Sequence, residues 1–181
     1  MRHLPLLFLI CVAIPMGADV SGCVCDVNKP ETLAGKECDL CKLAELEPAK
    51  PPVFFLKDNS PRKPNRWLAL PRGHGKGPDE LSQMTARQRF LLWSAAIEKG
   101  KSLWGDQWGL AINGPKVRSQ CHAHIHIGKL LPGAETRRFV LVDGPAQIPL
   151  PENDGGLWVH PRGRKLHVHL GEQTTETVLL R

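Results

Sequence analysis

The chain has 181 residues, of which 41% are hydrophobic and 23% charged. That is enough apolar material for one ordinary globular domain and too much for a disordered tail. The formal net charge of +6 reads either as attraction to an anionic substrate or membrane surface, or as ordinary surface charge. It does not read as nucleic-acid binding, because the basic residues are scattered, no stretch interleaves them with aromatics, and there is no Tyr at all.

The first 22 residues have the pattern of an export signal: Arg2, an apolar run from Leu4, then the small residues Gly17 and Ala18. The run is too short for a membrane span, and Pro15 and Asp19 close it early; a core strand or a short anchor is the plainer alternative. The stretch Val20-Ser21-Gly22-Cys23 is similar to a bacterial lipoprotein cleavage site, although Asp19 stands unusually close to it. Lipidation of Cys23 would tether the protein to a membrane without a spanning helix. Without it, the mature chain is soluble outside the cytoplasm, so the expected location is periplasmic or membrane-anchored. Cys11 lies in the signal, which leaves Cys23, Cys25, Cys38, Cys41 and Cys121. An odd number in an oxidising compartment means that at least one is lipidated, free or metal-bound.

Residues 23–51 form a cysteine-rich arm with no strand or helix period, so the arm needs cross-linking to be ordered. The main domain is expected over 52–181. Pro52 to Asp58 reads as a strand, the N-S-P-R-K-P-N loop ends it, and Arg66 to Pro71 reads as an antiparallel second strand. The G-H-G-K-G-P stretch that follows is a loop. From Thr85 the period changes: Thr85 and Gln88 make a capping-box pair, Ala86, Phe90, Trp93 and Ile97 recur on one helical face, and Gly100 is the expected stop. W-G-L-A-I-N at 108–113 is a strand, and R-F-V-L-V, L-W-V-H, L-H-V-H-L and T-V-L-L are expected as further short strands. One main helix on an antiparallel sheet, with extra strands near the C-terminus, is an α+β domain.

The densest chemistry lies at 119–128, S-Q-C-H-A-H-I-H-I-G. On a strand, side chains alternate, so His122, His124 and His126 share one face while Ala123, Ile125 and Ile127 pack on the other. Ser119, Gln120 and Asn113 add donors and acceptors. L-H-V-H-L at 166–170 also alternates but lacks a third histidine, and an ordinary exposed strand face is expected there. A catalytic metal site at the triple is disfavoured because no Asp or Glu falls between Gly114 and Gly133. Covalent catalysis fits better: one imidazole attacks phosphorus while its neighbours hold the phosphate oxygens, and the middle histidine, flanked on both sides, is the natural nucleophile.

His122-Ala123-His124-Ile125-His126-Ile127 resembles the His-x-His-x-His signature of the histidine triad superfamily of nucleotide hydrolases and transferases. C-D-L-C-K-L at 38–43, R-W-L-A-L-P-R-G-H at 66–74 and the helix from Leu81 to Gly100 also fall where that superfamily has similar features, so the resemblance covers about residues 36–130. Within it, L-A-I-N-G-P-K-V-R-S-Q-C-H-A-H-I-H-I is similar to the CDP-diacylglycerol diphosphatase branch. That branch usually has Gln where this chain has His122, and it lacks the Cys-x-x-Cys.

The resemblance implies His124 as nucleophile, His126 and Gln120 as phosphate contacts, Ser119 as a contact to phosphate or leaving group, and Asn113 as a support for the strand. The reaction it implies is phosphoanhydride cleavage through a nucleotidyl-histidine, with a nucleotide or nucleotide-lipid as substrate and no metal in the chemistry. Zinc-bearing relatives imply a structural zinc on Cys38, Cys41, His74 and His122; the competing reading is a disulfide between Cys38 and Cys41, or from this pair to Cys23 or Cys25. A zinc-stapled binding domain without turnover, and a metal-dependent hydrolase, are the other functional readings. Residues 138–181 extend beyond the usual triad domain, with a lid, a homodimer surface or extra strands as the roles open to them.

Overall fold

The computed structural model describes residues 18–46, 51–73 and 80–181. The export-signal reading of residues 1–17 and the zinc-ligand reading of His74 lie outside these. The architecture is α+β. Seven strands form one sheet in the order β1-β2-β4-β3-β6-β7-β5, from β1 (Val53–Lys57), β2 (Trp67–Pro71), β3 (Trp108–Ile112), β4 (Ile125–Lys129), β5 (Phe139–Val142), β6 (Gly156–Arg162) and β7 (Lys165–Glu172). Every pairing is antiparallel. The C-terminal extension thus supplies three of the sheet's strands, while T-V-L-L at 177–180 is not a strand but a 3-10 turn, Glu176–Val178, followed by an isolated bridge from Leu179 to Leu130.

Two helices flank the sheet. The helix α1 (Asp39–Leu46) lies inside the arm, where no helical period was legible. The main helix α2 (Ala86–Trp104) starts at the expected capping box, in which the Thr85 hydroxyl accepts from Gln88 N and the Gln88 side chain returns to Thr85 N; a cap of this kind contributes about 1 kcal/mol. The helix does not stop at Gly100. A Cβ there would lie 3.0 Å from the Trp108 Cβ, so Gly100 is the place where helix and β3 approach closely, and Gly105, with φ 56°, ends the helix. Of the expected buried face, Trp93 and Ile97 are buried with Leu92 and Ala96, whereas Ala86 and Phe90 are exposed.

Alternation along the strands gives the two faces of the sheet different jobs. One face carries Leu110, Ile112, Ile125, Ile127, Leu157, Val159, Val168 and Leu170 and packs on α2 as the principal core. The opposite face carries His124 and His126 on one side, where α1 packs through Leu40 and Ala44 on Phe54 and Leu70, and Trp158, His160, His167 and His169 on the other. Between these groups the C-terminal segment crosses the sheet where Gly109 pairs with Gly128. A Cβ on Gly109 would stand 2.6 Å from Leu179, and one on Gly128 3.2 Å, so the glycine pair is the groove in which Leu179 lies.

Candidate functional site

At β4 the alternation is as expected: Ile125 and Ile127 are buried in the core under α2, and His124 and His126 face a cavity of about 530 Å³. His122, expected on the same face, precedes the strand, is fully buried and does not border the cavity. His124 Nδ1 lies 2.8 Å from the His122 carbonyl oxygen. A carbonyl only accepts, so Nδ1 carries the proton and donates, which leaves the lone pair on Nε2. Burial, more than any other influence, pushes His124 down to about 4; the His122 carbonyl opposes this, and the Arg118 and His122 charges reinforce it. The ring is therefore neutral near pH 7. His126, edge-on to His124 with centroids 4.9 Å apart, lies well below the usual histidine value, chiefly through burial and then through the charges of His124, Lys63 and Arg66.

The cavity lining is mixed. Lys57, Lys63, Ser60, Ser119 and Gln120 bring cations and donors, Asp39 and Asp58 bring carboxylates, and Leu40, Leu43, Leu56 and Leu68 add apolar surface. Lys57 ends β1, within the stretch read from the sequence as a strand, and Lys63 comes from the loop after it, read only as a connection. Gln120 borders the cavity, but its amide is already tied at both ends to the arm: Oε1 accepts from Leu40 N at 3.1 Å, and Nε2 donates to Lys36 O at 2.9 Å. Its second amide hydrogen is the part left for a ligand. Asn113 does not border the cavity. Its buried Oδ1 accepts from Thr175 N, Thr175 Oγ1 and Glu176 N, fastening the C-terminal segment to the end of β3.

That segment delivers a residue the motif reading missed. Glu176 Oε2 stands 3.5 Å from His126 Nδ1, an electrostatic approach rather than a hydrogen bond, and pairs with Lys63 at 2.5 Å and Arg66 at 2.7 Å. Arg66, only 2% exposed, also donates to the carbonyls of Glu176, Leu179 and Leu180. The guanidinium fork thus holds the tail, its carboxylate and the sheet together. A lone glutamate so far along the chain gives no local signal that it meets the histidine strand.

The arm is closed by disulfides, which corrects the zinc assignment. Cys23 is bonded to Cys121, with Cα atoms 6.1 Å apart, and Cys25 to Cys38, with Cα atoms 5.9 Å apart; Cys41 is the odd cysteine, free and buried. Cys38 therefore has no thiolate to give a metal together with Cys41. His122 Nε2 donates to the Pro71 carbonyl at 2.9 Å, which turns that nitrogen towards β2. The disulfide alternative applies, with Cys25 rather than Cys41 as the partner of Cys38. The same bonding corrects the tether: the Cys23 sulfur in a bridge to Cys121 carries no acyl-bearing thioether. Two groups do have the proximity for a metal: the four sulfurs of Cys23, Cys25, Cys38 and Cys121, and Glu135 with His160, His167 and His169.

L-H-V-H-L is not an exposed face. His167 and His169 are 0% and 1% exposed, and the missing third imidazole is supplied across the sheet by His160, the register partner of His167. Trp158 stacks on His169 at 3.6 Å between ring centroids, and Phe139 meets His167 edge-on at 4.1 Å. Burial is the main cause that lowers all three histidines, His169 to about 3.

Among the described residues, no helix is long and apolar enough to cross a membrane. No protein-family model and no curated protein matches the chain.

Proposed function

We propose that this chain is an exported hydrolase of the histidine triad type. It cleaves a phosphoanhydride in a nucleotide-containing substrate, with CDP-diacylglycerol, split to CMP and phosphatidate, as the lead compound. The observation that carries the reading is the fixed tautomer of His124, whose donated Nδ1 proton leaves a neutral Nε2 lone pair in a cavity that also contains Lys57 and Lys63. In the first step His124 Nε2 attacks the nucleotide's phosphorus. An N–P bond forms, the anhydride P–O bond breaks, and the second phosphate departs with the bonding pair. The positive charge that develops on the ring is stabilised by the His122 carbonyl, which already accepts from Nδ1. Water then attacks phosphorus, the N–P bond breaks, the neutral imidazole is restored and the water's proton passes to solvent. Lys63 and Lys57 answer the phosphate charge, and the leucines of the lining suit a base or a glycerolipid.

Two disulfides support an oxidising compartment, and hence export. Zinc has no step in this chemistry. The reading assigns any structural zinc of the arm to the reduced protein; the four sulfurs lie within 4.8 Å of one another with both bridges formed.

The alternative is a nucleotide- or lipid-binding domain without turnover. The test is to incubate the purified protein with CDP-diacylglycerol, dinucleoside polyphosphates and adenosine phosphoramidates, quench in the steady state and weigh the protein. Turnover of one class with a nucleotidyl adduct mapped to His124 is expected. Saturable binding with neither product nor adduct establishes the alternative.

A further inference from the structure

We propose that His160, His167, His169 and Glu135 form a structural site for one divalent transition-metal ion of the zinc type, clasping β6 and β7 to the segment before β5. The site lies apart from the triad, beyond the C-terminal segment, and does not depend on the catalytic reading.

The hydrogen bonds turn the Nε2 atoms of two rings towards each other. His160 Nδ1 lies 3.1 Å from the Pro161 carbonyl, which only accepts, so Nδ1 donates and Nε2 is bare. His169 Nδ1 lies 2.7 Å from Thr136 Oγ1, which accepts from it when Nε2 is bare and donates to it when Nε2 carries the proton. The Nε2 atoms of His160 and His169 face each other at 3.2 Å. In the metal-free protein one neutral N–H shared across this pair satisfies both nitrogens, and an ion of the zinc type takes its place by displacing that proton. Two nitrogens on one tetrahedral zinc, each bound at about 2.0–2.1 Å, stand about 3.3 Å apart. The observed separation is that of two ligands of one ion.

The rest of the set completes the count. His167 is fully buried, and its Nε2 makes no hydrogen bond among the described residues. One nitrogen from each ring and one Glu135 oxygen all lie within 4.8 Å of one another. The Glu135 side chain, 47% exposed, has room to close in. Pro161 O and Thr136 Oγ1 are the outer partners that fix ring orientation in metal-binding histidines. Three imidazoles with one carboxylate select zinc, cobalt, nickel or copper over calcium or magnesium, and four protein ligands make a closed, structural centre. The one opposing group is Arg162, whose guanidinium lies 3.3 Å from His167 Nδ1 and 3.4 Å from Glu135. It is 58% exposed and free to swing away, and its charge works against the cation.

The test uses full-length mature protein without a histidine tag, disulfides intact and no added thiol, stripped by chelation and titrated with Zn²⁺ and with Co²⁺. Stoichiometry, melting temperature and the Co²⁺ visible spectrum are read. One ion per chain is expected, with a raised melting temperature and a tetrahedral Co²⁺ band lacking thiolate charge transfer. Glu135→Gln and Thr136→Val should each weaken binding at least about tenfold, His169→Gln should abolish it, Arg162→Ala should tighten it, and His124→Ala should leave it unchanged. The first two substitutions alter partly exposed side chains and keep the test open where His169→Gln does not fold. No bound ion, a thiolate band, loss of binding in His124→Ala, or unchanged affinity in both Glu135→Gln and Thr136→Val overturns the proposal.

Discussion

Acid should destabilise this protein through His124 in a measurable and separable way. The ring is 5% exposed and shifted to about 4, against about 6.5 in the unfolded chain. Because the folded value is the lower one, the unfolded chain takes up the proton first. The stabilising contribution is complete above pH 6.5 and is lost progressively as pH falls towards 4. Between pH 7 and pH 5 the two values correspond to about 2 kcal/mol from this side chain alone. For a domain of this size that is about 4–8 °C in melting temperature. His160, His167 and His169 are shifted in the same direction and steepen the overall dependence, so the informative quantity is a difference. Urea unfolding of metal-free wild type and His124→Gln at pH 7, 6 and 5, disulfides intact, should show the variant losing about 2 kcal/mol less over that range. Parallel curves for the two proteins would refute the claim that His124 is buried as a neutral ring.

His124→Ala should lower phosphoanhydride turnover at least about a hundredfold, with circular dichroism unchanged; wild-type turnover would remove His124 as nucleophile. Glu176→Gln retains the backbone bonds to Arg66 but removes the charge that faces His126, Lys63 and the buried Arg66, so a turnover loss of about tenfold together with a fall in melting temperature is expected. Cys121→Ser opens a bridge spanning 98 residues and should cost up to about 5 kcal/mol by chain entropy, whereas Cys41→Ser should leave both bridges in place, as thiol counting and denaturant titration would reveal. Mass spectrometry of the exported protein should find an N-terminus near residue 19 and no acyl chain on Cys23; a chain beginning at Met1 contradicts export.

Local patterns carried the strand parity of His124 and His126 and the start of α2, because both depend on residues within one or two turns of chain. They misjudged features set by distant partners. Gly100 has the sequence of a helix stop, yet Trp108 makes it a contact point. His167 and His169 alternate like a wet strand face, yet His160 and Trp158 from β6 enclose them. Cysteine spacing at 38 and 41 is compatible with zinc or with a bridge, and the choice was made by Cys25, brought near by the fold of the arm. Asn113 was read as a support for the strand, but the partners that hold its oxygen, Thr175 and Glu176, lie too far along the chain to be read from a local pattern.

The groove at Gly109 and Gly128 bears on when the protein becomes competent. The tail that lies in it brings Glu176 to His126, and Glu176 is synthesised well after the histidine it meets. The arm that closes the cavity waits likewise for Cys121, which arrives 98 residues after its partner. A nascent chain that has delivered its triad strand therefore holds the nucleophile without its surroundings, and competence comes only after the last segment has crossed the sheet. A methyl group on Gly109 would delay or block that final step while touching neither histidine nor substrate.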